Sequence, residues 1–177
     1  DIESSFYVLP RDLLALQGIL DDVVKSGLGL LGQNLPFDLM YLRAYADTFS
    51  NILSRPHMQS WGCELRELSV LNFLESDVRP ERSLKSISPL LRVMDYSQEH
   101  SLKDGYRYPS KDDEKLRDYN VQDACATLEC WTRLSASIRQ KYPRSHKLDP
   151  ETLCWWSDVI WTATEMGEIG VEFDVPR

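Results

Sequence analysis

The four cysteines, Cys63, Cys125, Cys130 and Cys154, form no Cys-x-x-Cys pair and no zinc-site spacing. They read as free thiols of a reducing compartment, which makes a cytoplasmic location the expectation, host cytoplasm if the source is viral. No apolar run approaches the length of roughly 20 residues that a bilayer-spanning helix needs, and no signal peptide opens the chain, so no membrane partner is expected. Cations are in the minority: 20 Lys and Arg stand against 28 Asp and Glu, a net charge of −8. Such a balance excludes a protein that coats phosphates broadly. It leaves room for an enzyme that meets a few nucleotides through metal ions. Internal repeats and low-complexity tracts are also missing.

What is present is ordinary in bulk. The chain has 177 residues, 42% of them hydrophobic and 27% charged, which suits one globular domain or one domain plus a piece of a second. The most informative stretch is Leu116 to Leu134. Leu116, Tyr119 or Asn120, Asp123, Thr127, Cys130 or Trp131 and Leu134 recur every three or four residues, which predicts a helix. Tyr119 and Asp123 are one turn apart on a face that also carries Leu116, Thr127 and Leu134. That face is expected to point inward. A carboxylate turned inward is costly without compensation, and no basic residue shares the face, so the pair asks for a metal. A distant Arg or backbone donors would answer the same need.

The chain opens on Asp1-Ile2-Glu3. In a strand this alternation puts both carboxylates on one side, where they can share a divalent cation; a charged, frayed terminus is the plainer account. A helix is expected from Arg11 to Ser26 with Gly27 as its stop. Leu28-Gly29-Leu30-Leu31-Gly32 follows as a short apolar strand of parallel or central type. Gln33-Asn34-Leu35 leads out of it, and Pro36 suits the first turn of the next helix. Asp38 lies in that first turn, just past a strand, where α/β sheets place their chemistry. It also suits the helix dipole, which favours an acid there by about 0.3–1 kcal/mol.

Residues 47–82 are poorly patterned, with a helix-like stripe over Trp61 to Phe73. Ser83 is expected to cap a further helix made irregular by Pro89, and residues 95–113 read as the longest loop. Tyr142-Pro143 ends the Leu116 helix. Asp149-Pro150-Glu151 starts another, running to Met166-Gly167 ahead of an extended tail through Asp174.

Asp1, Glu3, Asp38 and Asp123 would repel one another unless divalent cations lay among them. Carboxylate ligands suit Mg²⁺ or Mn²⁺, and two such ions about 4 Å apart can serve a phosphoryl displacement. At this point a resemblance becomes specific. Asp1-Ile2-Glu3, Gly32-Gln33-Asn34-Leu35-Pro36-Phe37-Asp38 and Tyr119-Asn120-Val121-Gln122-Asp123-Ala124 resemble, in order, the three motifs of the DEDD superfamily of 3′→5′ exonucleases, tyrosine branch. The sister branch has histidine in place of the tyrosine, and His57, His100 and His146 are all distant from it. Ser83-Leu84-Lys85, and the tail from Met166 to Asp174, are similar to elements of the proofreading domain of family A DNA polymerases, the phage type among them.

The resemblance implies an α/β, RNase H-like (DnaQ-like) fold, a mixed central sheet flanked by helices. It implies an exonuclease domain over residues 1–145, with 146–177 as a linker helix and the start of a polymerase-like domain in the same longer chain. Asp1, Glu3, Asp38 and Asp123 would hold two Mg²⁺ or Mn²⁺ ions, and Tyr119 would orient a water. The expected reaction is hydrolysis of the terminal phosphodiester at the 3′ end of single-stranded DNA, releasing nucleoside 5′-monophosphates. Asn34, and Phe6 or Tyr7 by stacking, would contact the substrate. A stand-alone RNase D-like or helicase-associated exonuclease, or an inactive scaffold of the same fold, are the rivals. Two departures stand out. The chain begins on the first catalytic aspartate, so a fragment of a longer protein is expected, with the front of the sheet incomplete. The interval from Glu3 to Asn34 is also shorter than the family's, which holds two further strands.

Overall fold

Gly27 ends the first helix for a simple steric reason. Its φ of +71° is the left-handed conformation that L side chains resist, and a Cβ there would meet the Trp61 carbonyl oxygen at 3.0 Å. In the computed structural model, which describes residues 13–76, 83–94 and 113–170, this helix is α1 (Leu13–Lys25). The strand reading at Asp1–Glu3, the loop over 95–112 and the tail beyond Gly170 lie outside the described residues.

The described residues are helix-rich with a small parallel sheet, an α/β arrangement. They divide into two compact units: 13–67 with 146–170, and the remainder between 68 and 145.

In the first unit, β1 (Leu30–Gly32) pairs in parallel with β2 (Leu65–Glu67); Leu30, Leu31 and Gly32 lie opposite Leu65, Arg66 and Glu67. Parallel strands need a long crossover. Here it consists of α2 (Leu35–Tyr45), α3 (Asp47–Ile52) and α4 (Arg55–Ser60). The expected Leu28–Gly32 strand is thus real and parallel, though shorter and only half-buried. The single helix expected over Trp61 to Phe73 is corrected: Leu65–Glu67 is strand, and a helix begins at Leu68. The buried–half-buried–buried alternation of Leu65, Arg66 and Glu67 fits a strand, but three residues are too short a run to outweigh the neighbouring helical spacing.

The last helix of the unit, α8 (Pro150–Ile169), starts behind Asp149 as expected and runs two residues past Gly167. It packs on α2 and β2. Ser157 Oγ accepts the Leu65 N–H at 2.9 Å, so α8 satisfies a backbone donor of β2. Ile160 and Trp161 join Val24, Leu35, Leu39, Phe49, Leu53, Met58 and Leu65 in one apolar cluster. Asp158 accepts from Arg55 at 2.7 Å and from Gln59 at 3.0 Å, tying α8 to α4 at the surface.

The second unit is helical. Helices α5 (Leu68–Glu75) and α6 (Leu84–Leu90) pack on the long α7 (Asp113–Lys141). Ser83 stands at the N-cap of α6 as expected, with its hydroxyl on Ser86 Oγ rather than on a backbone amide. Ala126, Thr127, Cys130, Leu134 and Ile138 form a buried stripe of α7, and Leu68, Leu71, Leu84 and Ile87 are the buried apolar residues of α5 and α6, which pack on it. The carboxylate of Glu75 is buried beside them, accepting from Ser137 Oγ at 2.9 Å and paired with Lys141.

Candidate functional site

The residues singled out by sequence fall in three places. Asn34 and Asp38 belong to the first unit, at the end of β1 and the start of α2. Tyr119 and Asp123 belong to the second, near the start of α7. Asp1, Glu3, Phe6 and Tyr7 lie outside the described residues.

Around Asp38 the local chemistry is well defined. The chain leaves β1 and turns through Asn34, whose φ of 63° and ψ of 40° are left-handed, a conformation that Asn adopts more readily than most residues. Helix α2 then presents few orphan donors. Leu35 donates its N–H to Glu67 Oε2 at 2.7 Å, Pro36 has no N–H, and Phe37 donates to the Asn34 carbonyl at 3.0 Å. Asn34 donates its own N–H to Glu67 Oε1 at 2.8 Å. The Asn34 side chain makes no capping hydrogen bond and is exposed.

Asp38 follows on the first turn with its side chain open to solvent on one side. Partial loss of water pushes its carboxyl above the usual range, and the negative charge of Glu67 adds to the shift. The helix dipole acts in the opposite sense, favouring the charged form. Since the net direction is upward, desolvation and Glu67 prevail.

On α7, Tyr119 and Asp123 are half-buried, at the N-terminal end of the stripe that is fully buried from Ala126 onward. The inward orientation expected for this face therefore holds fully only past Asp123. Thr127, one turn on, donates its hydroxyl to the Asp123 carbonyl oxygen at 2.8 Å. No base was expected on this face of the helix, and α6 brings one: Lys85 Nζ lies 5.5 Å from the centre of the Tyr119 ring. At that distance an ammonium is attracted to the ring face. The resemblance noted at Ser83-Leu84-Lys85 thus falls on a residue that touches Tyr119.

Sequence reasoning missed Glu67. It stands 33 residues from Asn34 and was hidden in a run with helical spacing. Its local sequence carries no signal: in Leu65-Arg66-Glu67 a single apolar residue is followed by two charged ones.

Among the described residues no group of three or more His, Cys, Asp or Glu could hold a metal ion. Two of the four expected ligands, Asp1 and Glu3, lie outside those residues. None of the described helices is long and apolar enough to cross a membrane. The chain matches no protein-family model, no curated protein and no solved structure.

Proposed function

We propose that this chain is a metal-dependent 3′→5′ exonuclease domain of RNase H-like fold, acting on the 3′ end of single-stranded DNA as the proofreading part of a longer DNA polymerase. The reading is carried by the segment from Gly32 to Asp38. It leaves the C-terminal end of a parallel strand, turns through a left-handed Asn and delivers a carboxylate to the first turn of a helix. Open α/β sheets bind their ligands at the carboxyl ends of strands. The ordered trio of sequence motifs, with Tyr119 and Asp123 one turn apart on a helix, supports it further.

The donor set fits Mg²⁺ or Mn²⁺, since all four residues are carboxylates and the one whose surroundings are described in most detail, Asp38, sits beside a second acid. Asp1, Glu3, Asp38 and Asp123 would hold two ions. When bound, such ions supply Lewis acidity to the phosphodiester and lower the pKa of water. Tyr119 orients the attacking water through its hydroxyl; an ordinary phenol, with a pKa near 10, is a poor base at neutral pH. Lys85 restrains the ring. Asn34, its amide unused by the helix, holds the terminal nucleotide.

The test is digestion of 5′-labelled single-stranded DNA by the folded protein with Mn²⁺ or Mg²⁺. A descending ladder that disappears with EDTA and with Asp123→Ala, and weakens by about 10²-fold with Tyr119→Phe, is the expected result; misplacing a reacting group costs about that much. Absence of both digestion and Mn²⁺ binding would sink the proposal. Equal digestion of RNA would favour the RNase D-like alternative.

A further inference from the structure

Glu67 is 5% exposed, and both of its carboxylate oxygens are turned onto the backbone of the Asn34 segment. Burying an acid is expensive, and a helix start is usually capped more cheaply by its own N-cap side chain. Here the N-cap is Asn34, among the best capping residues, yet its side chain does not cap. The work is transferred to a carboxylate from the neighbouring strand, 33 residues along the chain. Two consequences follow from the geometry. The Asn34 N–H and Leu35 N–H are fixed together, which holds the left-handed turn at Asn34 and the direction in which α2 leaves it. The Asn34 carboxamide is left exposed, with its donors and acceptor available to a ligand.

We propose that Glu67 is a positioning residue of the site: it takes over the capping of α2 so that Asn34 faces substrate and Asp38 is held in register. The proposal rests on the exonuclease reading for what Asn34 and Asp38 do, and on Glu67's two hydrogen bonds for how they are held. A purely structural cap would stabilise the unit and nothing more. A positioning residue sets turnover in molecules that are fully folded.

Both halves are read on the whole chain with Glu67→Ala, Glu67→Gln and Asn34→Ala. Hydrogen exchange of the Asn34 and Leu35 amides is measured by NMR, and single-stranded DNA hydrolysis is normalised to the folded fraction. In Glu67→Ala the two amides are expected to exchange about 10-fold faster or more, the worth of one hydrogen bond to a charged group. Turnover per folded molecule is expected to fall about 10-fold or more as well. Glu67→Gln, which keeps one acceptor, restores protection at one of the two amides and part of the turnover. Asn34→Ala raises KM, and adding Glu67→Ala to it raises KM less than Glu67→Ala does alone, because the group being aimed is already gone.

Unchanged exchange at both amides overturns the contact. Faster exchange with unchanged turnover per folded molecule makes Glu67 a cap only and overturns the positioning role. A folded wild-type chain that hydrolyses nothing, yet shows the exchange effect, overturns the exonuclease reading and the positioning role built on it, while leaving the hydrogen bonds intact.

Discussion

Trp161 offers a sharp test of the core that carries Asp38. It is fully buried, in the same cluster as Leu35 and Leu39, which flank Asp38 on α2. Replacing a buried Trp by Ala costs about 3–5 kcal/mol through lost transfer energy and a residual cavity. Trp161 also carries a liability. Its indole Nε1 is buried with no hydrogen-bond partner among the described residues, and such a donor costs about 1–3 kcal/mol. Trp161→Phe removes that donor and keeps most of the ring. Against this gain stand a smaller cavity and a weaker attraction to Arg43, whose guanidinium lies 5.7 Å from the Trp161 ring centre, a desolvated pairing worth about 2 kcal/mol of which a phenyl ring keeps a part. The two sides nearly offset, so Trp161→Phe is expected within about 1.5 kcal/mol of wild type while Trp161→Ala loses about 3–5. Urea unfolding followed through amide protection in α2 reads this unit alone. Equal losses in the two variants would show that the indole N–H is paired, and a loss below about 1 kcal/mol in Trp161→Ala would remove Trp161 from the core altogether.

Asp38 gives a pH prediction. Its carboxyl is raised in the folded chain, so folding holds that proton more tightly than the unfolded chain does. The resulting stabilisation is present below the ordinary value of 3.8 and is lost as pH rises through the raised one. Asp38→Asn should therefore gain stability over wild type as pH climbs to neutral, seen as a growing difference in urea midpoints; a difference that shrinks with pH would refute the assigned cause. Lys141→Met leaves the buried Glu75 carboxylate without its ammonium, at a cost of about 1–3 kcal/mol, less than for a fully buried pair because Lys141 is half-exposed. Adding Glu75→Gln should recover part of that loss in thermal unfolding. Cutting the chain after Ser145 removes Ser157, Ile160 and Trp161 from the first unit. Residues 13–67 should then lose slow amide exchange, and a truncated chain with unchanged protection would contradict the packing of α8 on α2 and β2.

How legible the fold was depended on the length of each pattern. The stripe of α7 repeats over many turns, and its periodicity survives any single exception, so the helix could be read from Leu116 to its stop at Tyr142-Pro143, close to its extent of Asp113–Lys141. Helices α2 and α8 carried stop and start signals with a steric basis: Pro in the first turn, an Asp ahead of it, and Gly27 closing the helix before. Strand β2 had none of these. Its three residues sit inside a stretch where Leu65, Leu68 and Leu71 recur at helical spacing, and only the parallel pairing with β1 makes Leu65 and Glu67 face inward.

The same reasoning separates the parts of the site. Asp38 was visible because it stood beside local structural punctuation, and Asp123 because it lies one turn from Tyr119 on a patterned helix face. Lys85 and Glu67 were not visible in those roles, because each acts through space on a residue more than 30 positions away. Glu67 shows why this matters. From sequence, Gln33-Asn34-Leu35 is only the lead out of a strand, with nothing to say what satisfies its backbone donors. The strand pairing brings Glu67 onto the Asn34 and Leu35 amides and supplies that answer. With the backbone donors already satisfied, the Asn34 side chain has no capping task in α2, and its carboxamide stays exposed one helical turn from the exposed Asp38.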